Sequence, residues 1–227
     1  MLCSVAFAKL CDLSEVVKRY SLETVYETQD CLMPKGRPRQ FDTEQALEAA
    51  LLLFWRQGYE GTSLAALSEA MGVNMPSLYA AFGNKETLFQ QVVERYLQRP
   101  ASYLPEALCE PTARAAIEKL FEGAIKMVMH PRHPDGCLLV QGALVSGPAA
   151  DSIQRSLSNR RAGAEAAIRR RLEQAVAAGE LPSQADAARL ARFFATVLWG
   201  MSVQAAGGAT RKQLKEVAEQ ALLCWPK

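Results

Sequence analysis

Residues 63–82 read SLAALSEAMGVNMPSLYAAF, and this stretch decides the fold. Two helix-length runs, LAALSEAM and MPSLYAAF, are separated only by Gly72-Val73-Asn74. Thr62-Ser63 places a capping hydroxyl before the first run, and Asn74 does the same for the second. Gly72 supplies the positive φ that the turn demands. Pro76 sits in a first turn, where a missing N–H costs little. The spacing predicts a helix-turn-helix in which Leu64, Leu67, Ala70, Val73, Leu78 and Phe82 lock the pair. The first half of the second helix then projects outward. Asn74, Met75, Pro76, Ser77 and Ala80 give it a compact surface that fits a major groove ~12 Å wide.

The flanks have the same punctuation. Gly83-Asn84 ends the second run, and Asn84 caps a helix from Lys85 to Gln98 that Pro100 closes. Upstream, Asp42 with Gln45 opens a helix through ALEAALLLFWRQ that stops at Gly58. Ala46, Leu47, Ala50, Leu53 and Phe54 give that helix one apolar face. Further helical blocks are expected at 111–129, 136–147, 151–178, 184–206 and 211–224, separated by HPRHPDG, SGPAAD, GELPSQ and GGAT. Strand signals are nearly absent. The expectation is an all-α protein with nine helices after Met33. Residues 1–33 do not fit this pattern and read as a flexible extension or a start-site artefact, with an ordered extra helix as the other reading. Residues 34–98 form the helix-turn-helix domain, and 99–227 form a larger helical domain.

Composition narrows the function. The chain of 227 residues has a net charge near +2, so a basic footprint must be local. Lys35, Arg37 and Arg39 form such a footprint as an arm before the first helix, while Thr62 and Ser63 offer hydroxyls and free N–H groups to a phosphate. Arg169-Arg170-Arg171 reads as a solvated helix face. No run of about 18 apolar residues is present, so no span and no membrane partner are expected. Six cysteines are scattered without CxxC spacing. Reduced thiols and a cytoplasmic location follow as expectations.

An enzyme is the rival class. Only two histidines occur, and HExxH, GxSxG and phosphate-loop patterns are missing, so no catalytic residue and no cofactor are assigned. His130, His133 and Cys137, with Asp135, are the residues a metal reading would use, but a surface loop capping a helix accounts for them and no metal is assigned. Cys137 also raises an oxidant- or electrophile-responsive alternative.

The run from Arg39 to about Pro100 resembles the DNA-binding domain of TetR-type transcriptional regulators. The resemblance rests on Phe54…Gly58-Tyr59, Thr62-Ser63, Gly72-Val73, Leu78-Tyr79…Phe82 and Lys85-Glu86…Leu88. It implies a homodimeric regulator, usually a repressor, that holds palindromic double-stranded DNA and responds to a small-molecule inducer. Carried over by position, Thr62, Tyr79 and Lys85 hold phosphates, while Asn74, Met75, Pro76, Ser77 and Ala80 face bases. Ala80 departs from the larger aromatic or His common there, and Leu52 and Trp55 are apolar where polar residues are usual. By the same resemblance the dimer forms through 184–206 and 211–224, an assignment that the apolar circumference and small residues of AARLARFFATVLWGMSVQAA fit. Phe121, Met127, Cys137, Val140, Phe193, Val197 and Met201 are the candidate ligand-binding residues of an apolar cage. A DNA-binding protein that ignores small molecules is the third reading.

Overall fold

A computed structural model describes residues 41–143, 147 and 150–226. The basic arm and the 1–33 extension lie outside the described residues. Those that are described form ten helices and no strand. They are α1 Thr43–Gly61, α2 Leu64–Met71, α3 Met75–Phe82, α4 Lys85–Gln98 and α5 Tyr103–Leu108, followed by α6 Ala113–Val128, α7 Leu138–Gln141, α8 Asp151–Ala177, α9 Ala187–Ala206 and α10 Arg211–Leu222. Each expected helix has a counterpart, and α5 is an additional one. Within block 136–147 the described helix is a single turn, α7.

Local chemistry places the ends. The Asp42 carboxylate accepts from the N–H groups of Glu44 and Gln45 at 2.8 and 3.2 Å, opening α1. The backbone leaves helical geometry at Gly58, where the expected stop lies, and regains hydrogen bonding to Gly61. Asn84 and Thr87 cap α4 reciprocally, and Thr210 with Gln213 caps α10 the same way.

Apolar packing joins all of this into one cluster running from α1 to α10. Residues before and after α4 therefore contribute to one core. Trp55 of α1 is buried and meets Tyr96 of α4 edge-on at 4.8 Å, and it also lies 5.2 Å from the His133 ring. This explains an apolar residue on that helix: it packs against the loop before α7. The Tyr59 N–H donates to the Gly142 carbonyl at 2.8 Å, tying the same helix to the residue just after α7. Arg95 of α4 is buried and donates to Glu48 at 2.7 Å and to Glu44 at 2.5 Å on α1. No helix among the described residues is long and apolar enough to cross a membrane.

Two sequence expectations are corrected by packing. Ala70 is exposed, and Met71, one residue on, is buried against the core with Leu67. The arginine run is also not uniformly solvated. Arg169 is exposed and pairs with Glu173, but Arg171 is largely covered and reaches the Glu110 and Pro111 carbonyls and the Glu180 carboxylate. Its guanidinium ties α8 to the segment before α6.

Candidate nucleic-acid interface

The α2–turn–α3 unit is built almost wholly from short-range bonds. The Ser63 hydroxyl accepts from Ala66 N–H at 3.1 Å and starts α2. Gly72 ends it in the left-handed region, with φ 64° and ψ 30°. Its N–H donates to Glu69, and the Val73 N–H donates to Ser68, closing the last turn. The Ser68 hydroxyl returns the contact by donating to the Val73 carbonyl. The Asn74 side-chain oxygen then accepts from Ser77 N–H at 2.9 Å and opens α3. Leu78 and Phe82 are buried beneath, and the Phe82 ring lies 6.3 Å from Phe41. Both helices are therefore held from below, and the upper face of α3 is left to solvent.

That face carries most of the base-facing candidates. Asn74, Pro76 and Ala80 are exposed, and Met75 and Ser77 are half-buried. The Asn74 oxygen is already engaged as a cap, so only its amide N–H groups remain for another partner. Tyr79 is 47% exposed, an unusual state for a large ring flanked by buried Leu78 and Phe82. Ser63 is exposed.

Two phosphate candidates are placed differently from the expectation. Thr62 is fully buried, and its hydroxyl donates to the Gly58 carbonyl at 2.7 Å. Its side chain therefore has no surface to offer a phosphate, and it stabilises the α1–α2 corner. Lys85 sits with Nζ 4.4 Å from the Tyr59 ring centroid, a cation–π contact. Partial burial pulls its pKa down, opposed by the Glu60 charge. Tyr59 is itself packed on Phe54 and Phe89, so Lys85 is steered by the core. Sequence gave no signal for this contact between residues 59 and 85.

At the junction, Gly83 has φ 73° and ψ −139°, and its N–H donates to the Tyr79 carbonyl at 3.0 Å. A Cβ there would stand 2.9 Å from the Thr87 hydroxyl. The joint between α3 and α4 thus needs glycine for conformation and for space.

The candidate ligand residues disperse. Phe121, Met127, Cys137, Val140 and Met201 are buried core, Val197 is half-buried, and Phe193 is 37% exposed with its ring 5.3 Å from Phe194. Met127 and Cys137 line different cavities. Met127 borders an open cleft of about 640 Å³ between α1, α4, α5 and α6, whose other walls include Glu44, Arg95, Arg99 and Lys126. Cys137 borders a separate small void. Its Sγ and the Met127 Sδ both lie 3.1 Å from the buried Tyr96 hydroxyl. Burial raises the Cys137 pKa, with the Tyr96 hydrogen bond opposing. His133 Nδ1 lies 3.1 Å from the Met127 carbonyl, and its ring stacks on His130 at 4.2 Å. No group of three or more His, Cys, Asp or Glu able to hold a metal occurs among the described residues.

Comparison with known proteins agrees with this geometry. Residues 46–92 match the family described as bacterial regulatory proteins, tetR family, and 113–221 match the tetracyclin repressor-like C-terminal domain. The HTH-type transcriptional repressor ComR of Escherichia coli K12 is 36% identical over 202 residues, covering 88% of this chain and 96% of ComR. The repressor BdcR of the same strain is 32% identical over 82% of this chain and 90% of its own length. A solved structure of a cysteine mutant of the TetR family transcriptional regulator CifR, complexed with 26-bp double-strand operator DNA, superposes with a TM-score of 0.81. It is 42% identical and covers 84% of this chain and 100% of that one. The chain belongs to the TetR family of DNA-binding transcriptional regulators.

Proposed function

We propose that this protein is a cytoplasmic homodimeric repressor that holds a palindromic operator and releases it when a small molecule binds among the helices after α4. It carries out no catalysis in this reading. The observation that carries it is the exposed, compact face of α3, held rigid by the Gly72 turn and the Asn74 cap with Tyr79 at its edge. Met75, Pro76, Ser77, Ala80 and the Asn74 amide meet base edges in the groove. Lys35, Arg37, Arg39, Ser63, Tyr79 and Lys85 bind phosphates, and Thr62 contributes only by shaping the corner. A CifR mutant bound to operator DNA supports the same docking.

Two reading heads must lie about 34–36 Å apart, one helical turn of DNA, which calls for a dimer. The outer surface of α9 and α10 supports that pairing. Phe193 and Val203 of α9 and Val217 of α10 are exposed apolar side chains, and Leu223 just beyond is 73% exposed. On the same face of α9, Gly200 has nothing within 4 Å of the place its Cβ would take, so its own fold has no need of a glycine there. A helix from a second copy could approach closely at that point. Ligand binding tilts α4, and the Gly83-Asn84 joint passes the tilt to α3 and changes the spacing of the heads.

Titration of the protein onto the DNA upstream of its own gene at two salt concentrations tests this. A palindromic footprint and a steep loss of affinity with salt are expected. Salt-independent binding or a footprint without two-fold symmetry would remove the reading.

A further inference from the structure

One buried cation in the molecule has incomplete hydrogen bonding. Arg160 of α8 is 7% exposed, and its Nη2 donates to the Glu94 carboxylate of α4. Its Nε and Nη1 have no partner among the described residues. Buried polar groups are almost always paired, and a guanidinium is the side chain best shaped to hold a carboxylate through two parallel bonds. Arg160 also lines an internal void of about 20 Å³, together with Tyr96, Ala164, Leu198 and Trp199. That volume takes roughly one water. The other walls are apolar or aromatic, their polar side-chain groups being those of Tyr96, Tyr103, Trp199 and Cys137.

The void has one wall on α5, which is packed on α6 with Tyr103 over Gly123, and one wall of consequence on α4. Tyr103 and Leu104 close it from α5, a six-residue helix whose start has no side-chain cap. Tyr96 and Leu97 close it from α4, the helix that leads back to α3. Glu94 lies on that same helix, so the Glu94–Arg160 pair is a tie between α4 and α8. Burial raises the Glu94 pKa, against the pull of Arg160.

We propose that this void is the core of the effector site and that its ligand is a small organic monocarboxylate. The carboxylate docks on Arg160, and the apolar tail lies against Tyr96, Leu198 and Trp199 as α5 gives way. The ligand competes with Glu94 for the guanidinium, which loosens α4 from α8. This deepens the inducer reading above and rests on it.

Butyrate, with butyramide as its uncharged isostere, is the probe, titrated into the full-length protein with Trp fluorescence and calorimetry as readouts. Saturable butyrate binding is expected, with butyramide weaker by about tenfold or more. Arg160→Met should weaken butyrate by a similar factor, and Arg160→Lys should restore part of it. Ala164→Leu fills the void while leaving Arg160 in place, and it should also abolish binding. It decides the case if Arg160→Met proves unfolded by circular dichroism. Equal binding of acid and amide, unchanged binding in the variants, or no butyrate binding at about 10 mM overturns the proposal, the last meaning that the Arg160 donors meet water only. Operator release is read separately. Butyrate that binds Arg160 but leaves the DNA complex intact upholds the site and removes the inducer reading. Release by another compound with no butyrate binding removes the site alone.

Discussion

The α2–α3 pair and the α9–α10 pair turn opposite kinds of surface outward. The first consists of two eight-residue helices whose ends are all closed by local bonds, and its outer face is compact, with Asn74 and Ser77 beside Pro76 and Ala80 and Tyr79 as the one large exposed ring. The second is longer and buries one face on α6 and α8 while leaving Phe193, Val203 and Val217 in solvent. A groove in DNA accepts a slim rigid helix, and a partner helix needs apolar area. The difference indicates that rigidity is built by capping where the surface must stay polar, and by burial where it can be apolar.

The sharpest way to break this contrast is to charge the apolar side. In the dimer proposed above, Val203→Glu with Val217→Glu should give a monomer by light scattering and lower operator affinity by about 100-fold, because avidity is lost. A charged variant that remained dimeric would place the interface elsewhere. Next in size is Gly83→Ala. At φ 73° and ψ −139° Gly83 lies close to a region essentially reserved for glycine, where a residue with a Cβ costs roughly 1–3 kcal/mol, and the Thr87 contact adds to it, so a lower urea midpoint is expected. Gly72→Ala has open space around it and should lose only the conformational part. Equal losses at both positions would remove the packing half of the argument for the joint.

Tyr79→Phe tests the polar side alone. It deletes one exposed hydroxyl, so stability should hold while operator affinity falls about tenfold, the worth of one hydrogen bond to a charged group. An unchanged affinity would turn Tyr79 into surface without a partner. The smallest effect concerns pH. The Arg95 hydrogen bond, then its charge, holds the Glu44 pKa below its ordinary value. A depressed folded pKa stabilises the protein above the unfolded value near ~4.3, and that stabilisation fades as pH falls through the folded value. Glu44→Gln should therefore be less stable than the parent at pH 7 by urea melts, and the gap should close as pH falls through the lowered Glu44 pKa. A gap that stayed constant would show that the pair contributes by hydrogen bonding alone.

Much of the reading head was legible because its determinants are local. Ser63, Gly72, Asn74 and Asn84 act on neighbours three or four residues away, and all four play the parts their residue types suggest. Thr62 has the same kind of side chain, yet its hydroxyl points inward to Gly58 because α1 breaks there and folds the corner over it. The one-residue error at Ala70 and Met71 has a related origin: a short helix fixes its phase only against the body it packs on. The ligand candidates dispersed for a third reason. Apolar residues at helical spacing look alike whether they fill a core or line a cavity.

Caps, turn glycines and apolar periodicity by themselves determined an all-α chain with a helix-turn-helix, since each is an interaction between near neighbours. Only the tertiary structure decided that Trp55 packs on Tyr96 and His133, that Arg95 is held by α1, and that Arg160 meets Glu94 beside a void with two donors idle. These contacts join residues tens of positions apart. Burial of a charge depends on what the rest of the chain places over it, and no short window of sequence records that.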